Sequence, residues 1–332
     1  MGISCLSACG GQGRDHIYIE FSGLTMGSTY DVKLELPAGQ PDRDAIRQGI
    51  ADVFGAVDNA MSTYKPESEL SRINTALTTD PIPVSAELFN VLTVALDISR
   101  YTQGAFDITV GPLVNLWGFG PHKHQPVLPA AADLNLALAR TGYQKLSLDA
   151  QTRTLRKAQP DMYLDLSGIA SGYAVDRVAA YLDSLSVANY MVDASGEIKT
   201  RGVNAEGQTW RIGIEKPVSD QRQIERIIRL ENMGMDTSGD YRNYFEMDGK
   251  HYSHIIDPAS GWPVPHTLVS ASVLDPSATR ADALATSLMV MGPERGVAFA
   301  RDHGLTAMFI VRQAEGFSEI YTGTFPSLFI TD

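Results

Sequence analysis

Ile17-Tyr-Ile-Glu-Phe21 and Tyr30-Asp-Val-Lys-Leu-Glu-Leu36 alternate apolar with polar side chains, the period of a strand buried on one face. They frame Thr25-Met26-Gly27-Ser28-Thr29 and read as a two-strand meander. Further strands are predicted at Tyr190-Met-Val-Asp193, Thr209 to Ile214, Ile224 to Leu230, Thr306 to Val311 and Ser318 to Tyr321. Helical spacing predicts a helix from Arg43 to Met61, where Ile46, Ile50, Val53, Phe54, Val57 and Met61 recur on one face. Others are expected over Ala86 to Thr102, Ile169 to Leu185, Ala281 to Met291 and near Glu294 to Arg301. Strands mostly follow strands, which predicts an α+β fold with largely antiparallel sheets flanked by helices, not a doubly wound parallel sheet.

The 332 residues carry a formal charge of −12, with 44% hydrophobic and 20% charged side chains. This is the composition of a globular chain with a substantial core. The acidic balance repels phosphate backbones, and no basic stripe is interleaved with aromatics, which argues against a nucleic-acid partner. No apolar run approaches the ~20 residues that span a bilayer. Residues 1–15 read as an N-terminal tether, and residues 16–332 as one compact unit, with a bilobed arrangement as its alternative.

Both cysteines, Cys5 and Cys9, lie in the first ten residues, so the folded body has no thiol for catalysis or metal binding. Leu6-Ser-Ala-Cys9-Gly10 has the form of a bacterial lipobox, in which the cysteine is lipidated. Eight residues precede Cys9, fewer than a signal peptide's basic start and apolar stretch require. A Cys5–Cys9 disulfide is the competing reading for an exported form.

Toward the C-terminus, Thr279-Arg-Ala-Asp282-Ala-Leu-Ala-Thr286 sets a carboxylate and a hydroxyl four residues apart on one helix face. Hard oxygen ligands in that placement suit Mg²⁺. The alternative is a capping box, with Thr279 as N-cap and Asp282 satisfying free amides. Four other segments are unusually polar or glycine-laden for packing: Met26-Gly-Ser-Thr, Met61-Ser-Thr-Tyr64-Lys-Pro-Glu-Ser-Glu-Leu70, Asp165-Leu-Ser-Gly168-Ile-Ala-Ser171-Gly172-Tyr173, and His254-Ile-Ile-Asp257-Pro258. Taken singly, Ser62 and Thr63 could end a helix, Asp165 or Ser167 could cap one, and Asp257-Pro258 could be a plain turn. Gly104 to Pro126 is rich in Gly, Pro and aromatics, too punctuated for a long regular element. His122 and His124 at its polar end read as exposed loop residues.

In order along the chain, these segments resemble the ApbE family of FAD:protein FMN transferases. The resemblance is carried most specifically by Gly104 to Pro121, Leu164 to Asp176 and Tyr252 to Pro258. It implies an ApbE-like, T-fold-like domain that splits FAD and attaches FMN to a Ser or Thr hydroxyl of a target protein, releasing AMP. It implies Mg²⁺ held by the Asp282 carboxylate, the Thr286 hydroxyl and the Gly168 carbonyl. It further implies flavin and nucleotide contacts from Met26, Tyr64, Ala105, Phe106, Asp107, Asp165, Ser171 and Ile256, with His254 as general base. Two positions depart from the family pattern. Ser171 stands where many relatives carry Lys or Glu, and Ala285, which the resemblance groups with the metal positions, stands where some have an additional Asp and hence a further ligand.

The resemblance also implies acceptors among subunits of Na⁺-translocating NADH:quinone reductase, related electron-transfer complexes and extracytoplasmic flavoproteins. It implies a site at the periplasmic face of the cell envelope, anchored through Cys9. Two other readings stand beside transfer: an FAD pyrophosphatase yielding FMN and AMP, and a flavin-binding lipoprotein without catalysis.

Overall fold

In the computed structural model, residues 16–37, 42–121, 127–217 and 224–330 are described. Cys5, Cys9, the tether, His122 and His124 therefore lie outside the described residues. The chain runs through β1 (His16–Thr25), β2 (Ser28–Pro37), α1 (Arg43–Met61), α2 (Glu69–Thr75), β3 (Ile82–Pro83) and α3 (Ala86–Tyr101). Next come α4 (Gly111–Leu116), α5 (Ala131–Ala139), β4 (Leu146–Asp149), β5 (Thr154–Lys157), α6 (Ala170–Ser184), β6 (Tyr190–Ala194) and β7 (Glu197–Arg201). It closes with β8 (Trp210–Glu215), β9 (Ile224–Leu230), β10 (Gly234–Gly239), β11 (Tyr244–Met247), β12 (Lys250–Ser253), β13 (Leu268–Asp275), α7 (Ala278–Asp302), β14 (Thr306–Arg312) and β15 (Phe317–Thr322).

The protein is α+β. Its main sheet has the order β1-β2-β6-β7-β10-β13-β14-β15, with antiparallel pairing throughout. Strand alternation sorts its side chains onto two faces. Ala307, Phe309 and Val311 of β14 join the large core beneath α1, α3, α6 and α7. Met308 and Ile310 join Ile198, Met235 and Leu274 in a second core covered by the β8–β9 hairpin. A third, smaller cluster packs Leu113 and Trp117 against α5 and Ile256. Among the described residues, no helix is long and apolar enough to cross a membrane.

The observed α1, α3 and α6 follow the expected helices closely. Asp42 caps α1 by accepting the Asp44 N–H, and Ile46, Ile50, Phe54 and Val57 are its buried stripe. The two helices expected near the C-terminus lie end to end within α7, separated where Gly292 leaves helical geometry (φ 77°, ψ −178°) before Pro293. Pro293 has no N–H to give the Met289 carbonyl four residues back. The His266 ring fills that role, with Nε2 2.6 Å from the Met289 oxygen.

The capping-box alternative is corrected. Ser277, not Thr279, caps α7 by accepting the Arg280 N–H. Thr279 instead gives its hydroxyl to Asp176, and Asp282 turns across to α6.

Candidate active site

The site begins where α6 and α7 touch. A Cβ built on Gly172 would lie 2.4 Å from the Ala278 carbonyl oxygen and 2.8 Å from the Asp282 Cβ, so only glycine admits this approach. Asp282 Oδ2 accepts the Gly172 N–H at 3.0 Å, satisfying an amide in the first turn of α6. On the same helix, Asp176 anchors the start of α7. Its carboxylate accepts the hydroxyls of Ser277 and Thr279 and the N–H groups of Ala278 and Thr279, all within 3.0 Å. The helix carrying Asp282 and Thr286 is thereby fixed in position.

Opposite Asp282 lie two strand residues. Met235 of β10 pairs with Ile198 of β7, and one step further in that register Asp236 falls beside Glu197. Because Ile198 and Met235 enter the hairpin-covered core, alternation turns Glu197 and Asp236 to the helical face. Ligand oxygens of Glu197, Asp236 and Asp282 lie within 4.8 Å of one another. Like charges side by side across strands are unfavourable, and burial compounds the cost. Asp236 is 4% and Asp282 3% exposed. Burial pushes the Asp236 carboxyl up to about 7. Burial, then the charge of Asp236, raises Asp282 well above the carboxylate range, and burial followed by Asp236 and Asp282 does the same to Glu197. Glu197 Oε2 is buried with no hydrogen-bond partner among the described residues. A divalent cation would neutralise all three groups and occupy that oxygen, so the donor set fits a hard metal ion.

A cavity of about 400 Å³ adjoins this trio. It brings together Gly168, Asp282 and Thr286, three of the four positions expected to hold metal. A Cβ on Gly168 would lie 3.0 Å from Thr286 Oγ1 and 3.3 Å from the Phe106 ring. The Thr286 hydroxyl is 3.3 Å from that of Ser238, which also bonds Asp236 at 3.2 Å. Tyr64, Ala105, Phe106, Asp107, Asp165, His254 and Ile256 also line the cavity. Phe106 and Ile256 supply buried apolar surface, while Tyr64 is 60% exposed at its edge. Asp107 is committed locally, accepting the Thr109 N–H and hydroxyl and the Tyr143 N–H. Its carboxyl is raised by burial despite those bonds. Asp165 Oδ1 accepts the Ser167 N–H in a tight turn before α6.

His254 Nδ1 lies 3.0 Å from the Asn243 carbonyl. A carbonyl only accepts, so Nδ1 carries the proton of the neutral ring and Nε2 keeps its lone pair. Burial lowers the His254 pKa below its usual value, favouring this neutral form. Phe119 meets the ring edge-on at 6.3 Å.

Three expected site residues are not among those lining the cavity. Ala285 is fully buried in the large core, with only a methyl to offer. It therefore cannot supply a side-chain metal ligand, which corrects its placement with Asp282 and Thr286. Met26 sits at the hairpin turn with φ 45° and packs against the large core. Ser171 is half-buried in the first turn of α6 and is not among the residues lining the cavity. Conversely, Glu197 and Asp236 escaped the reading of the sequence. Their only local signal is a carboxylate in strand phase opposite an inward Ile198 or Met235, and their pairing depends on a register that the sequence does not display.

The ApbE family profile matches residues 26–309. A FAD:protein FMN transferase of Vibrio cholerae is 46% identical over 307 residues, covering 92% of this chain and 91% of that protein. The structure of Vibrio cholerae flavin transferase ApbE superposes with a TM-score of 0.87 at 43% identity, covering 94% of this chain and 99% of that one. The apo form of Pseudomonas stutzeri flavinyl transferase ApbE also gives 0.87, at 41% identity, with 95% and 97% coverage. The chain belongs to the ApbE family.

Proposed function

We propose that this ApbE-family chain is an FAD:protein FMN transferase that cleaves the FAD pyrophosphate and joins FMN by a phosphoester bond to a Ser or Thr hydroxyl of another protein, releasing AMP. The observation that carries this reading is the trio of half-buried Glu197 with buried Asp236 and Asp282, including the unpartnered Glu197 Oε2, at a cavity that also holds His254. Mg²⁺ would be held by Asp282 with Glu197 and Asp236, and by the Thr286 hydroxyl and Gly168 carbonyl expected from the family. Bound there, it supplies positive charge for the phosphate oxygens.

His254 Nε2 takes the proton of the acceptor hydroxyl as its oxygen attacks the phosphorus on the FMN side. The P–O bond to the adenylate breaks, and AMP leaves with the electron pair. The Asn243 carbonyl fixes the tautomer this requires. Phe106, Ile256 and the Tyr64 ring form the apolar slot for the isoalloxazine, and Asp165 lies within reach of the nucleotide.

The acceptors in this proposal are subunits of Na⁺-translocating NADH:quinone reductase or related exported flavoproteins. The lipobox Leu6-Ser-Ala-Cys9 supports placement at the periplasmic face of the envelope through a lipid on Cys9. Labelling with a clickable palmitate, lost in C9S, tests that placement.

The activity is tested by incubating the protein with FAD and Mg²⁺, with and without such a subunit, following AMP and in-gel flavin fluorescence. A fluorescent acceptor band with metal-dependent AMP supports transfer. AMP and free FMN with no need of an acceptor would indicate a pyrophosphatase, and FAD binding without turnover in the presence of a verified acceptor would indicate a binding lipoprotein.

A further inference from the structure

The cavity has a marked charge imbalance. Asp107, Asp165, Glu197, Asp236 and Asp282 line it, and among the lining residues only Arg242 carries a permanent positive charge. Even with the trio's charge neutralised by a bound cation, Arg242 is the one lining side chain whose permanent positive charge can pair with a pyrophosphate. Arg242 follows β10 and immediately precedes Asn243, whose carbonyl holds the His254 ring. The guanidinium is therefore on the same short segment as the group that orients the base.

At present Arg242 pairs with Glu215 at the end of β8. Its side chain is 52% exposed and that of Glu215 30%, so solvent screens the pair. Exchanging Glu215 for a phosphate thus sacrifices little, and a guanidinium grips phosphate through paired N–H donors. The guanidinium carbon lies over the Tyr241 ring, 5.6 Å from its centroid, a cation–π contact.

We infer that Arg242 is a donor-binding residue that leaves Glu215 to pair with the pyrophosphate of the incoming dinucleotide, discriminating FAD from phosphate-free flavins. The inference rests on the proposed function but concerns a different group.

The test is equilibrium binding of FAD and of riboflavin, read by quenching of flavin fluorescence, to the wild-type protein, R242A, R242K and E215Q. Far-UV circular dichroism and melting temperature serve as folding controls. Loss of a charge-assisted phosphate contact predicts FAD affinity in R242A weakened by about tenfold or more. Riboflavin affinity should change by less than about twofold, because its binding lacks that contact. R242K recovers part of the FAD affinity through charge alone, and E215Q binds FAD as tightly as wild type or tighter. Equal weakening for FAD and riboflavin in a folded R242A, or no weakening for either, overturns the assignment. If wild-type protein binds FAD and releases AMP while R242A binds FAD normally, the Arg242 role alone fails. Wild-type protein that binds no FAD would overturn the proposed function and this inference together.

Discussion

The Asp176 carboxylate accepts the Thr279 hydroxyl at 2.7 Å, and through this and three further bonds it ties α6 to the N-terminus of α7. A carboxylate there also meets the positive end of the helix dipole. D176A should cost about 2–4 kcal/mol in urea unfolding, the range for losing several charge-assisted bonds at once. Its metal dependence should also weaken, because α7 carries Asp282 and Thr286. Lost stability with unchanged Mg²⁺ titration of AMP release would show that the clamp does not position the site.

Gly172 should tolerate no side chain. G172A places a methyl against the Ala278 carbonyl and the Asp282 Cβ, and overpacking of this kind typically costs about 1–3 kcal/mol. The displacement would also break the Gly172–Asp282 bond. Isothermal titration with Mg²⁺ should show weaker binding in G172A than in wild type, whereas an equal affinity would place the two helices outside the metal's control.

With a cation bound as proposed, the carboxylate trio should make stability depend jointly on pH and metal. Asp236 titrates near 7 in the folded chain, against 3.8 as its ordinary value. Proton binding to this group therefore favours the fold, and without metal its contribution is lost as pH rises from about 4 to about 7. A cation replaces those protons, so the rise in Tm on adding Mg²⁺ should be larger at pH 8 than at pH 5. D236N should make metal-free protein more stable than wild type at pH 8 while shrinking the Mg²⁺ response. A Mg²⁺ shift independent of pH would contradict proton–metal competition.

How much of this was legible in the sequence follows from where each residue sits. Asp282 and Thr286 share one helix, so their spacing alone places them on one face. Glu197 and Asp236 meet only through the β7–β10 register, which is set by tertiary pairing. β10 reads Gly-Met-Asp-Thr-Ser-Gly, and β13 reads Leu-Val-Ser-Ala-Ser-Val-Leu-Asp. Neither shows the polar alternation that betrays β1 and β2, because β13 is buried on both faces and β10 spends its inward positions on chemistry. The split expected within α7 came from Gly292-Pro293. Those residues do break the helix: Gly292 is non-helical at φ 77° and ψ −178°, Pro293 has no N–H to continue the ladder, and His266 takes up the Met289 carbonyl.

In the proposed transfer His254 is the base, and its protonation should set the acid limb of activity. Its pKa is depressed below 6.5 by burial, so the neutral base persists through neutral pH, and kcat/KM should fall only as pH drops through a value below 6.5. The same depression means that stability present above 6.5 is lost as pH falls through the folded-state pKa. H254N should abolish transfer while leaving FAD binding within about twofold, since an amide of similar size keeps the packing but not the base. Retained transfer in H254N with an unaltered pH profile would remove His254 from the mechanism.

The most direct measurement is mass spectrometry of an exported acceptor subunit after incubation with FAD and Mg²⁺, with AMP quantified in the same sample, for wild type and D282A. The account predicts that the acceptor gains the mass of one FMN less one water on a Ser or Thr, with AMP released in equal amount. Both signals should vanish in D282A and in chelator. Equal acceptor modification by D282A, or AMP formed with FMN left free and the acceptor unchanged, would contradict it.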